Sequence, residues 1–272
     1  MARATETLRS FNRYELKYVV HASQLDAIVD DVLLQMAPDR HGDSSGSYIV
    51  TSLYFDSPDL QMLSSKVIGS RYRRKLRVRT YGEDVDSMST SMVEIKQRLG
   101  RTTQKRRVVM PLQAGLRLCR GHADWSWVDP ADERVSSEIR SLVLALQLRP
   151  ACTISYRRRA FVGSALEPGM RITLDSEVWG APPRLDFSTE RPGSLIVPRD
   201  WSILEIKVDD RVPGWVIELV TRHGCQLRRV SKYCLGMVRL QARDLPVGIW
   251  PSSGDLQRTA ARVVEAAALN VA

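Results

Sequence analysis

Seven short stretches of this sequence place cations at every second position. They are Arg13-Tyr14-Glu15-Leu16-Lys17, Lys75-Leu76-Arg77-Val78-Arg79, Glu94-Ile95-Lys96-Gln97-Arg98, Lys105-Arg106-Arg107, Arg157-Arg158-Arg159, a segment opening at Arg171, and Glu205-Ile206-Lys207. In an extended strand, residues i and i+2 share a face. Each stretch therefore sets Arg and Lys, with an isolated Glu, on one side, and Leu16, Leu76, Val78, Ile95 or Ile206 on the other. An antiparallel sheet with one wet face alternates in any case, but such a face normally mixes Ser, Thr, Asn, Glu and Lys. Two like charges about 4 Å apart repel by ~1 kcal/mol in water and ~4 kcal/mol at an effective dielectric near 20. Converging cations on successive strands therefore call for a densely charged linear anion, and a phosphate chain fits best. Arginine grips phosphate with two parallel hydrogen bonds, while lysine offers a compact point charge.

The lysines sharpen this reading. There are seven of them against 33 arginines. Lys17, Lys75, Lys96, Lys105 and Lys207 fall on the charged strand faces, Lys232 falls at a helix start, and only Lys66 stands outside the pattern. The carboxylates Glu15, Glu94 and Glu205 interrupt the cations. Each is either an ion-pair partner for its neighbours or a ligand for a hard divalent cation, Mg²⁺ or Mn²⁺, that would bridge phosphate oxygens. Glu205 is the main metal candidate, and for Glu15 and Glu94 both roles stay open.

The elements that position these residues follow from periodicity and turn signals. Eight strands are expected over 11–20, 47–55, 70–81, 89–98, 102–110, 150–162, 170–178 and 201–208. A helix with Ser23 as its N-cap should carry Leu25, Ile28, Val29, Val32, Leu33 and Met36 on one face. A short helical excursion is expected over 56–65, helix over 111–148 with a break near 125–130, and a helix opened by Pro213 and ended at Gly224. Two helical segments close the sequence, 231–242 and 253–269. The helices' apolar stripes need a surface to cover. If they lie on the outside of a closed sheet, the charged faces line a barrel interior.

The 272 residues carry a net charge of +9 with a pI near 9.6, and 43% are hydrophobic. This composition is that of a globular chain with a sizeable core and an anionic partner. No apolar run approaches the ~18–20 residues of a membrane helix, and residues 1–10 lack the apolar core of a signal peptide. The four cysteines form no CxxC pair, which fits reduced thiols and a cytoplasmic setting. The four histidines have neither metal nor triad spacing. The six tryptophans do not interleave with the basic faces, so a nucleic-acid stacking platform is not indicated.

The segments Arg13–Tyr18, Ser52–Asp56, Leu76–Gly82, Val93–Lys96, Ser155–Phe161, Arg171–Asp175, Leu204–Lys207 and Val230–Tyr233, in that order, resemble the vacuolar transporter chaperone (VTC) domain. This is the polyphosphate polymerase branch of the triphosphate tunnel metalloenzymes. The resemblance spans about 11–237. It implies an α+β fold, with an eight-stranded antiparallel β-barrel forming a tunnel and helices outside and at one mouth. Residues 1–242 would form the tunnel domain, and 243–272 a helical tail that is part of it or packed on it. The implied reaction transfers the terminal phosphoryl group of ATP to growing inorganic polyphosphate. The alternatives are a metal-dependent triphosphatase or tripolyphosphatase and a non-catalytic module binding polyphosphate or inositol phosphates.

Carried over by position, Lys17, Arg77, Arg79, Lys96, Lys105, Arg159 and Arg171 would bind phosphate. Arg229, Ser231 and Lys232 would contact it from the start of a terminal helix, and Glu205 would hold the metal. Arg77, Arg79, Lys96, Glu205 and Lys232 would act on the transferring group. On the sixth strand the choice between Arg157 and Arg159 depends on register, and the motif favours Arg159. Arg13 stands where the tunnel hydrolases often carry a first glutamate, which disfavours hydrolysis. The eukaryotic members also carry membrane domains. This sequence shows none, so no membrane insertion by this chain is expected, and the sequence names no membrane partner.

Overall fold

The computed structural model describes residues 13–100, 102–164, 167, 169–187, 193–209, 211–241 and 253–269. Among the described residues eleven strands form: β1 (Arg13–His21), β2 (Met36–Pro38), β3 (Ser47–Asp56), β4 (Tyr72–Tyr81), β5 (Thr90–Leu99), β6 (Thr102–Pro111), β7 (Arg149–Gly163), β8 (Arg171–Ala181), β9 (Ser194–Leu195), β10 (Trp201–Asp209) and β11 (Gln226–Leu227). The described residues also form seven α-helices: α1 (Ala22–Leu33), α2 (Gln61–Val67), α3 (Leu112–Leu118), α4 (Glu133–Ala145), α5 (Gly214–Arg222), α6 (Lys232–Gln241) and α7 (Ser253–Leu269).

The eight long strands correspond to the eight read from the sequence, and β2, β9 and β11 are additions of two or three residues. The strands pair in the order β11-β1-β10-β8-β7-β3-β4-β5-β6, with β2 on β7 and β9 on β8. A barrel closes only when its end strands exchange hydrogen bonds. Among the described residues β11 and β6 do not pair, so the expected closed eight-stranded barrel is corrected to an open antiparallel sheet.

The chain divides into two compact units. The first comprises the described parts of Met1–Ser47, Arg158–Asp175 and Asp200–Arg229. Its core joins the apolar faces of β1, β8 and β10 (Tyr18, Ile172, Leu174, Leu204, Ile206) to Ile28, Val29 and Val32 of α1 and Val216 and Leu219 of α5. The N-cap of α1 is His21, not Ser23. Its ring nitrogen accepts from the Ser23 amide, and the Gln24 side chain accepts from the His21 amide at 2.7 Å, a reciprocal capping box.

The second unit comprises the described parts of Tyr48–Arg157, Ser176–Arg199 and Val230–Ala272. Its core packs Leu53, Phe55, Leu76, Val78, Val93, Ile95, Val108 and Met110 against Leu112 and Leu118 of α3 and Ile139, Leu142 and Val143 of α4. The predicted helix over 111–148 is split in two, with 3-10 turns at Trp125–Trp127 and Pro130–Asp132 between the parts. Helix α7 packs on α2 and α6. Helix α6 lies close to β7: a Cβ at Gly236 would come within 2.4 Å of Ile154 Cδ1, so the buried end of that side chain would have to move aside.

Candidate functional site

In the second unit the antiparallel register lays the charged residues out in rungs. Arg73 lies opposite Arg98, Lys75 opposite Lys96, and Lys96 opposite Lys105. Arg77 lies opposite Glu94 and Glu94 opposite Arg107, while on the other side Tyr54 faces Arg77 and Ser52 faces Arg79. Directly opposed like charges destabilise a sheet. Two successive rungs here, Arg73/Arg98 and Lys75/Lys96/Lys105, have that form.

Glu94 is the counter-charge inside this array. It is 1% exposed, and its carboxylate takes the Arg77 guanidinium at 2.6 Å and pairs with Lys105. Burial alone would raise its pKa, but Arg77, Lys105 and Arg79 outweigh burial and hold it at about 2. Burial brings the Lys105 ammonium down to about 8, with Glu94 opposing and Arg77 adding to the fall. Arg79 is buried, and it donates to hydroxyl groups: to Ser52 Oγ at 3.0 Å and to Tyr156 Oη at 3.1 Å. Arg77 donates to Tyr54 Oη at 3.1 Å. Burial would raise the Tyr54 hydroxyl, yet Arg77, Arg79 and Lys75 bring it down to about 8.

The start of α6 joins the same array. Ser231 caps the helix by accepting from the Cys234 amide, and Ser231 Oγ also accepts from Lys75 Nζ at 2.7 Å. Lys232 Nζ stands 4.7 Å from the centre of the Tyr156 ring, a cation–π contact. Lys66, which fell outside the sequence pattern, lies in the last turn of α2. Burial and the nearby cations Lys75, Arg73 and Arg98 lower its pKa.

The first unit holds a second array. Lys17 lies opposite Glu205, Glu15 opposite Lys207, and Lys207 opposite Arg171. Lys17 Nζ pairs with Glu15 at 2.7 Å and Glu205 at 3.1 Å, and Glu205 pairs with Lys207 at 2.6 Å. Burial works against the Lys17 ammonium, but Glu205 and Glu15 overcome it and raise its pKa. At Lys207 burial prevails over Glu205, and Arg158 adds to the lowering. Arg171 pairs with Asp39 at 2.5 Å.

Arg159 does not join this array. Its guanidinium packs over the Phe161 ring and donates to the Ser45 carbonyl, and Phe161 belongs to the apolar core under α1. Arg158 lies on the opposite face of β7 and forks onto Asp175 at 2.7 and 2.8 Å. Strand alternation explains the shift. Tyr156 and Arg158 share one face of β7, and Arg159 and Phe161 share the other. Arg229 is exposed on the segment before α6.

Of the residues the sequence reading sets along one tunnel, the structure places Arg77, Arg79, Glu94, Lys96, Lys105, Ser231 and Lys232 in one array and Glu15, Lys17, Arg171 and Glu205 in another, each within its own unit. The sequence reading missed Tyr54 and Ser52 as partners of the arginines, and Arg158. The Tyr54 signal was present in the alternation of Ser52, Tyr54 and Asp56 along β3.

Fold and site define an antiparallel-sheet protein whose strand faces gather cations around a few buried carboxylates. The VTC domain family matches residues 12–241, and the chain belongs to that family. No curated protein matches the sequence. Among solved structures the chain is similar to a putative adenylate cyclase from Bacillus halodurans, at 14% identity, 81% of this chain, 95% of that chain and a TM-score of 0.46. It is also similar to the PH1819 protein from Pyrococcus horikoshii (14% identity, 84% and 100%, TM-score 0.41). A chain of the Schizosaccharomyces pombe Mediator head module is similar at 9% identity, 80% and 98%, with a TM-score of 0.42. These three likenesses add nothing to the family assignment.

Proposed function

We propose that the chain is a polyphosphate polymerase-like enzyme. It would bind a linear polyphosphate on the cationic face of β4, β5 and β6 and extend it with the terminal phosphoryl group of ATP. The observation that carries this reading is the pair of like-charged rungs, Arg73/Arg98 and Lys75/Lys96/Lys105. From Arg73 to Arg79 the strand runs about 20 Å, longer than a triphosphate, so the face suits a chain better than a single nucleotide. Phosphoryl transfer is mainly positioning and charge stabilisation. A terminal phosphate oxygen is already anionic at neutral pH, so attack on the γ-phosphorus needs no general base, and ADP leaves. Arg77, Arg79, Lys96 and Lys232 would carry the charge of the transferring group.

A divalent cation, Mn²⁺ or Mg²⁺, fits the first unit's carboxylates. Glu15 and Glu205 both reach one ammonium, that of Lys17, so both are within reach of one small cation. Among the described residues no group of three or more His, Cys, Asp or Glu side chains forms a metal cage. A cation here would therefore complete its shell with phosphate oxygens, as hard cations commonly do. When bound, it would neutralise phosphate charge.

The test is incubation of the pure protein with ATP and Mn²⁺ or Mg²⁺, with products resolved by length on a gel. The reading expects a ladder of long polyphosphate that Glu205→Gln strongly reduces. No long product, with Glu205→Gln behaving like wild type, refutes it. Steady phosphate release from tripolyphosphate without chain growth would make the protein a tripolyphosphatase.

A further inference from the structure

Asp56 is a buried carboxylate, 2% exposed, at the end of β3. It touches none of the cations of the site, yet it joins two helices that border it. Its Oδ1 accepts from the amides of Ser57 and Met62, both at 2.8 Å, and its Oδ2 accepts from the Leu63 amide at 2.9 Å. Met62 and Leu63 lie in the first turn of α2, whose own N-cap residue, Leu60, offers no side-chain acceptor. A further donor comes from far along the sequence: Tyr233 Oη donates to Asp56 Oδ2.

Tyr233 follows Lys232 in the first turn of α6. Its ring stacks on Tyr54 with centroids 5.2 Å apart, and Lys75 Nζ stands 5.4 Å from its centre. The start of α6 thus brings the Lys232 ammonium into an array that already holds Lys75, Arg77 and Arg79. Charge repulsion opposes that placement. The cation–π contact with Tyr156 and the cap at Ser231 act on the same turn. The bond from Tyr233 to a carboxylate fixed by three backbone amides is buried, and it holds the helix start where repulsion would release it.

We propose that Asp56 and Tyr233 are positioning residues, whose hydrogen bond sets Ser231 and Lys232 against the cationic face of β4 for binding a phosphate chain. The proposal rests on the phosphate-binding reading of that face. It assigns neither residue any contact with phosphate. Both act through the start of α6.

The experiment is a double-mutant cycle on tripolyphosphate affinity, measured by isothermal titration calorimetry. Tyr233→Phe keeps the stacked ring and removes only the donor. It is expected to weaken binding about tenfold, the loss of one buried hydrogen bond to a charged group. Lys232→Ala should weaken binding too. In the double variant the effects should fall well short of additive, because Tyr233 works through Lys232, whereas Tyr233→Phe and Lys105→Ala should add. Full additivity with Lys232→Ala, or no loss of affinity in Tyr233→Phe, overturns the positioning role while leaving the phosphate site standing. No loss of affinity in Lys232→Ala likewise overturns the positioning role, and no measurable tripolyphosphate binding by the wild type overturns the phosphate-binding reading itself. If Tyr233→Phe does not fold, Asp56→Asn, which keeps an acceptor oxygen for the Ser57 and Met62 amides and gives up the one that serves Leu63 and Tyr233, goes through the same cycle with the same outcomes.

Discussion

Glu94→Gln is the perturbation that most directly probes the charge balance of the second unit. Glu94 is buried between Arg77 and Lys105, and its carboxyl is held at about 2 in place of the ordinary 4.5. That difference corresponds to about 3 kcal/mol of folded-state stability at neutral pH. A carboxyl with a depressed folded pKa contributes fully above pH 4.5, and the contribution is lost as pH falls towards 2. Glutamine keeps the shape and removes the charge, leaving the Arg77 and Lys105 cations uncompensated. For a chain of this size 1 kcal/mol is roughly 2–4 °C in melting temperature, so the variant should melt about 6–12 °C lower. Tripolyphosphate supplies the missing negative charge, and a ligand that binds only the folded state raises the melting temperature. It should therefore stabilise Glu94→Gln more than wild type. The assay is differential scanning calorimetry at pH 7, with and without tripolyphosphate. A variant as stable as wild type, or one that tripolyphosphate stabilises no more than wild type, would refute the charge-balance argument.

Lys105 gives a pH prediction. With its folded pKa near 8 against an ordinary 10.5, tripolyphosphate affinity should fall as pH rises through 8. Lys105→Arg should flatten that profile between pH 7 and 9. Between pH 8 and 10.5 the unfolded chain binds more protons at this group, so its contribution to unliganded stability rises with pH. Asp175→Asn breaks the buried fork to Arg158 and should cost about 3–5 kcal/mol, read by urea denaturation. Gly236→Ala drives a methyl group to within 2.4 Å of Ile154 and should destabilise by about 1–3 kcal/mol, visible in the same assay.

Strand alternation made much of the site legible. Glu15 and Lys17, Lys75 to Arg79, and Glu205 and Lys207 each needed only a period of two to be placed on a charged face, because Leu16, Leu76 and Ile206 marked the opposite one. The run Arg157-Arg158-Arg159 could not be read that way. Three consecutive cations carry no alternation, and the choice fell to distant partners: Asp175 for Arg158 and the core around Phe161 for Arg159. Closure of the sheet was equally illegible, since it depends on whether strands at the two ends of the path meet. The Asp56–Tyr233 bond joins residues 177 positions apart, and no local pattern announces it. The cap of α1 was missed because Ser23 is the commoner capping type, while the fold gives the role to His21 with Gln24 three residues on.

The central claim is that the face of β4, β5 and β6 is built for a linear polyanion longer than a triphosphate. Calorimetric affinities for tripolyphosphate and for a longer polyphosphate of defined length, each measured across a salt series, test it most directly. Every phosphate bound releases condensed counterions, so the slope of log affinity against log salt reports the number of charges engaged. The account predicts tighter binding and a steeper slope for the longer chain, with both differences reduced in Arg73→Ala/Arg98→Ala. Equal affinities and equal slopes for the two ligands would contradict it.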